Sequence, residues 1–358
     1  MGVNKPKLSL KTVLMPIVGL AAFFLYILLF NVDLPEIIAT AQHADPLIYS
    51  AAVAVSLAEV FFYAISWRAL LEYLQVKISV IRSYLFVWYG TFMDIVIPAE
   101  SVSGELCRIY LVNREQCGTG GKVVASVVTQ RILGMGMNIL FLLVGIYLLY
   151  TESSVSPLIF NMILFFTAAI AAIMIALLVV SSKERWSLKV INGLVRAGEF
   201  ITRGKWKRLA QIKEDALRDA AIFHESMKEF IRKPKMLAVP TFYSLLNWIC
   251  SLSIPYLVFL SLGIDVSWSV ILITSAIVVA IKSIPVGIPF EVGLPEITMT
   301  TLYTSLLGLE FAGIAATATI LSRIITLWLR FGIGFAAQQW IELKPVLLPT
   351  NCVKTDKT

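Results

Sequence analysis

Eight ionisable residues stand inside or beside apolar stretches of this 358-residue chain: Glu100, Glu105, Arg108, Arg131, Lys282, Glu291, Glu296 and Arg323. A charge among apolar residues costs several kcal/mol unless it meets a partner or faces a watery cavity, so each is a candidate for function. Arginine suits phosphate, because its planar fork binds two oxygens at once. The set predicts a polar cavity that holds a charged headgroup or ion. A purely structural reading competes with it, since buried Arg–Glu pairs can tie segments together while adding little net stability.

The spacing of these residues recurs. Pro98, Glu105, Gly118 and Arg131 lie at offsets 0, 7, 20 and 33. Pro289, Glu296, Gly308 and Arg323 lie at 0, 7, 19 and 34. Near-equal spacing of four residue types predicts an internal duplication, each half placing a Glu-bearing hairpin beside an Arg-bearing helix. Arg131 lies nine residues past Lys122, roughly 13 Å along a helix, too deep to reach back to the surface.

The elements that must position them are apolar runs. Hydrophobic residues make up 58% of the chain and charged residues 15%, against roughly 45–50% and 25% for soluble chains. That excludes a disordered chain and argues against a soluble enzyme. Runs long enough for a spanning helix cover Val13–Phe30, Leu47–Trp67, Ile132–Tyr150, Leu158–Val180, Met236–Leu262 and Phe311–Trp340. Glu59 sits inside the second run and Arg330, with Arg323, inside the last. The first run reads as an uncleaved anchor, because the small triplet Ala39-Thr40-Ala41 lies well past its end.

Two further stretches are too short or too broken to span. Tyr84–Ile97 stops at Pro98-Ala99-Glu100 and returns over Gly104–Asn113; Trp268–Ile284 stops at Pro285 and returns over Leu294–Leu307. Short, Pro/Gly-interrupted segments at matching places in two halves point to broken helices at mid-membrane. The fold expected is therefore an all-α polytopic membrane protein with six spanning helices and two opposed re-entrant hairpins in inverted repeats. Its parts are an anchor and outer loop (1–46), repeat one (47–150), a fourth span with a basic amphipathic segment (151–235), repeat two (236–342) and a tail (343–358).

The bases orient it. Loops 31–46, 151–157 and 263–267 carry no Lys or Arg, so the positive-inside rule places them outside and both termini in the cytoplasm. Segment 183–235 holds 14 bases and 7 acids, which equals the net +7 of the whole chain. The basicity therefore reports orientation, and no nucleic-acid partner is expected. Apolar residues at helical spacing there, such as Leu217, Ala220, Met227 and Phe230, predict helices lying on the inner membrane surface.

No catalytic residue, metal site or cofactor is expected. Cys107, Cys117, Cys250 and Cys352 have no metal-ligand spacing, and His43 and His224 lie far apart.

At these same residues the chain resembles the family of the lysylphosphatidylglycerol synthase transmembrane region, also described as flippase-like integral membrane proteins. The resemblance rests on Ile97-Pro98-Ala99 through Gly104-Glu105 and Arg108, on Ala125-Ser126-Val127 to Arg131, and on Pro285 to Gly293, Glu296, Gly308, Ala315 and Arg323. Ser103-Gly104-Glu105 stands where the family usually has Gly-Gly-Asp, and Ile288-Pro289-Phe290-Glu291-Val292-Gly293 replaces its glycine-rich run. The resemblance implies movement of a lipid or lipid-linked headgroup between leaflets of the cell membrane. Its expected partners are anionic membrane lipids, with a second copy or a lipid-pathway enzyme as protein partner. The soluble aminoacyl-transfer domain of the bacterial synthases has no counterpart here, so aminoacyl transfer is not expected. A headgroup-modifying enzyme and a non-transporting scaffold of a lipid or glycan pathway are the alternatives.

Overall fold

The computed structural model describes residues 34–97, 102–116, 119–152, 157–182, 209–282 and 293–343. All their regular structure is helical. In chain order the helices are α1 (Leu34–Gln42), α2 (Pro46–Tyr73), α3 (Val80–Val96), α4 (Val102–Glu115), α5 (Gly120–Glu152), α6 (Pro157–Ser182) and α7 (Leu209–Arg232). They continue with α8 (Ala238–Ser261), α9 (Trp268–Lys282), α10 (Leu294–Leu307), α11 (Ala312–Arg323) and α12 (Arg330–Leu343). A π-wound stretch, Ile324–Leu329, joins α11 to α12. The expected first span, segment 183–208, both hairpin tips and the tail from 344 lie outside the described residues.

Four helical stretches are long and apolar enough to cross a membrane: Pro46–Tyr73, Gly120–Thr151, Pro234–Ser261 and Leu309–Glu342. At 28 residues the shorter ones reach roughly 42 Å, the thickness of a bilayer with its headgroups. They match four expected spans. At the expected fourth span, α6 runs for 26 residues, with Thr167–Val179 apolar. Local chemistry sets the ends. Asp45 caps α2, its carboxylate accepting from the Leu47 and Ile48 N–H groups at 2.8 and 3.3 Å, with Pro46 just inside. Ser79 caps α3 in the same way.

Each short, broken stretch is a helix pair. The arms α3 and α4 pack on each other, as do α9 and α10. The arms then exchange partners: α3 packs on α12, from the second half, and α9 packs on α5, from the first. The opening helices of the halves, α2 and α8, pack together most extensively. That contact is lined by small polar residues that let the backbones approach. Ser66 Oγ lies 2.9 Å from both Ser244 Oγ and the Pro240 carbonyl oxygen, and Asn247 donates to the Glu59 carbonyl at 3.0 Å. The pairings are reciprocal: each helix pair lends one arm to a long helix from the other part of the chain.

A glycine sits at each swapped crossing. A Cβ on Gly145 would lie 3.0 Å from Leu272, and one on Gly334 would lie 2.7 Å from the Trp88 carbonyl oxygen. Trp88 and Phe92 on α3, and Ile271 and Ile273 on α9, are buried there.

Two of the expected connecting segments hold packed helices. The stretch expected as an outer loop contains α1, which packs on α11; Ala41 joins the apolar cluster around Tyr303, Ala315 and Ala318. Basic segment 183–235 was expected on the membrane surface, but its described helix, α7, packs on α5. Ala220, Met227 and Phe230 are buried with Leu70, Leu74 and Ala125. Part of the apolar stripe of α7 thus packs on protein, while Ile231 on the same helix stays exposed.

Candidate functional site

Hairpin α3–α4 is built for close approach. A Cβ at Gly104 would collide with the Asp94 carboxylate and the Gly90 carbonyl. Lacking one, Gly104 donates its N–H to Asp94 Oδ1 at 2.6 Å, and Ser103 Oγ donates to the same oxygen at 2.9 Å. The start of α4 is thereby fixed against α3. It carries Glu105 in its first turn, where the helix dipole favours an acid.

Arg131, about a third of the way along α5, reaches Glu105 with Nη1 at 3.1 Å from both carboxylate oxygens. The predicted pair of the first half therefore forms. The predicted pair of the second half forms too, with Arg323 Nε donating to Glu296 Oε1. Glu296 also accepts from the Gly293 N–H through Oε2 at 2.7 Å, capping α10. Gly293 has φ +104°, a conformation only glycine adopts readily.

The two pairs differ in surroundings. Glu105 and Arg131 are 18% and 26% exposed and line a cavity of about 510 Å³. Glu296 and Arg323 are 1% and 5% exposed and do not line it. Lys282, at the end of α9, does not line it either. Glu100 and Glu291 lie outside the described residues.

Six charged residues line the cavity. Glu59, Asp94 and Glu105 face Arg108, Arg131 and Arg330, a balanced set. Glu59 and Arg330 form a third ion pair, through Arg330 Nη2 and Glu59 Oε2. Arg108 is different. It is 4% exposed, yet among the described residues it forms no ion pair. Its Nη1 donates to Gln130 Oε1 at 2.9 Å and its Nη2 to the Tyr63 hydroxyl at 3.2 Å. Its guanidinium carbon lies 5.2 Å from the Tyr63 ring centre and 5.0 Å from that of Trp67, within cation–π range. Gln130 is held by a bond to the Tyr63 carbonyl at 3.0 Å, and Trp67 by one to Ser126 Oγ at 3.1 Å. The lining also has an apolar part, with Phe165, Ala169 and Ile173 from α6 and Val279 and Ala280 from α9. The cavity thus has the polarity of an amphiphile.

Sequence reasoning placed Glu105, Arg108 and Arg131 among the candidates and passed over Glu59, Asp94 and Arg330. All three are charged residues inside apolar runs, and that signal alone could have found them. Tyr63, Gln130 and Asn138 are neutral and carried none.

The sequence profile of the lysylphosphatidylglycerol synthase transmembrane region matches residues 16–334. A UPF0104 membrane protein of Pyrococcus horikoshii is 25% identical over 325 residues, covering 89% of this chain and 94% of that protein. Another, from Methanothermobacter thermautotrophicus, is 23% identical over 333 residues, covering 91% and 94%. Both are similar to this chain over nearly their whole lengths. The match spans α1 to α11, the start of α12 and the residues that line the cavity, and the chain is a multi-pass integral membrane protein that belongs to the lysylphosphatidylglycerol synthase transmembrane-region family.

Proposed function

We propose that the protein is a flippase-like transporter, and that it moves an anionic phospholipid or a polyprenyl-phosphate-linked lipid between leaflets. The observation that carries the reading is Arg108. A buried guanidinium held by neutral groups bears a desolvation cost that an ion pair would offset. A phosphate in the cavity offsets it, taking two of the guanidinium N–H groups at once. The Glu105–Arg131 pair beside it supplies a second fork. The apolar lining residues of α6 and α9 suit the chain that a lipid carries behind its headgroup.

The topology that fits this function has six spans, cytoplasmic termini and hairpins entering from opposite faces of the plasma membrane. Base-free loops on one side and the basic segment on the other support it. Hairpin arms swapped between halves suit alternating access, because rocking one half carries the other half's hairpin with it. On this reading the ionisable groups bind and release a headgroup and perform no bond chemistry.

The test is reconstitution into vesicles with fluorescent phosphatidylglycerol, phosphatidylethanolamine and polyprenyl-phosphate probes, followed by an external quencher. The wild type should move at least one anionic class faster than empty vesicles, and Arg108→Gln should lose most of that rate. Equal rates for wild type, Arg108→Gln and empty vesicles across every class would end the proposal.

A further inference from the structure

Two of the three Arg–Glu pairs described above lie within a half: Glu105–Arg131 in the first, at the cavity, and Glu296–Arg323 in the second, away from it. The third joins the halves, since Glu59 lies on α2 and Arg330 opens α12. Arg330 reaches across because the helix before it is wound differently. In a continuous α-helix, residues seven apart lie nearly on one face, so Arg330 would follow Arg323 toward α10. Six π-wound residues separate them. A wider turn advances less per residue, and over this stretch the lag comes to roughly 100°. Arg323 therefore stays with Glu296 while Arg330 faces α2. The first half has Asn138 seven residues past Arg131, on the unbroken helix α5, so the charged crossing exists in one half alone.

The pair is also incomplete. Arg330 uses Nη2 toward Glu59 and, at 3.4 Å, toward Ser56 Oγ, while its buried Nε–H has no partner. A carboxylate that engages one edge of the fork leaves donors that a phosphate, with three acceptor oxygens, can take. Both residues line the cavity that holds Arg108. We infer that Arg330 is a further headgroup-binding arginine, held in reserve by Glu59. The Glu59 carboxylate sits on it until a lipid phosphate displaces it, and the displacement unties an ion pair that joins the halves. The inference rests on the headgroup-site reading of the cavity and adds to it a coupling between occupancy and freedom of the halves to move.

The experiment titrates purified full-length protein with dihexanoyl phosphatidylglycerol and, separately, with inorganic phosphate, reading calorimetric heat. Removing the internal competitor in Glu59→Gln should tighten lipid binding about tenfold. Arg330→Gln should weaken it, and the double variant should match Arg330→Gln, because the gain requires Arg330. No gain in Glu59→Gln, or a gain that survives in the double variant, overturns the inference. A gain for phosphate with none for the lipid overturns the lipid as the displacing anion. Lipid binding in the wild type that is lost in Arg108→Gln but unmoved by Glu59→Gln leaves the headgroup site standing and removes only the reserve role of Arg330. No binding in the wild type removes both. Should Glu59→Gln fail to fold, spin labels at exposed Leu57 on α2 and Trp340 on α12, in a background without native cysteine, read the separation directly. It should change on saturation with the lipid, and an unchanged distribution overturns the inference.

Discussion

Glu105 and Glu296 occupy matching places in the two halves, so replacing each with Gln asks whether position or surroundings sets the cost. Glu296 uses both oxygens, one for Arg323 and one for the Gly293 N–H, and it is 1% exposed. Gln offers a single acceptor oxygen and no charge, so Glu296→Gln leaves Arg323 buried without its counter-ion. Breaking a buried pair on one side costs about 3–5 kcal/mol. At roughly 2–3 °C per kcal/mol for a chain of this size, the apparent Tm in detergent should fall by about 6–15 °C. Glu105→Gln acts on a pair that faces the cavity, 18% and 26% exposed, where water screens the orphaned arginine. Its cost should stay near or below about 1.5 kcal/mol, a fall of a few degrees. The assay is thermal unfolding of both variants side by side, followed by near-ultraviolet circular dichroism. Equal falls, or a larger one for Glu105→Gln, would refute the argument that the second pair is sealed and the first open.

Gly332 and Gly334 lie two residues apart on α12, and only Gly334 is in contact with α3. Gly334→Ala should destabilise by about 1–3 kcal/mol through overpacking against Trp88 and Phe92, whereas Gly332→Ala should be neutral or stabilising by up to about 1 kcal/mol; thermal unfolding distinguishes them. Gly104→Ala should push α4 off Asp94 and lower lipid binding in calorimetry, and retention of wild-type affinity would contradict the described hairpin. Ser126→Ala removes the acceptor of the Trp67 indole N–H and should cost about 1–3 kcal/mol, read by thermal unfolding.

The apolar runs were enough to find the long helices, because a span is a local property that hydropathy reads directly. The short helices were equally legible; Leu294–Leu307 is helical over the whole expected stretch. The Arg131–Glu105 and Arg323–Glu296 pairings followed from repeated spacing within each half. Contacts between halves had no such signal. Glu59 and Arg330 are 271 residues apart, and nothing in either run says that the two face each other. The difference in burial between the two matching pairs was hidden for the same reason, since it depends on which neighbours close over each one. The packing of α7 on α5 was not legible, because an apolar stripe at helical spacing states that a face is buried, not against what.

The exchange of hairpin arms also has a bearing on biosynthesis. Helix α3 ends at Val96 and its main partner α12 ends at Leu343, so the partner is translated about 250 residues later. At roughly 5–20 residues per second that is a wait of about 12–50 s. Throughout it, Trp88 and Phe92 lack the surface that finally covers them, and the first half cannot mature alone. An N-terminal half made by itself should be held by an insertase or degraded. Co-expression of the two halves as separate chains should rescue both, since each supplies the surface the other is missing.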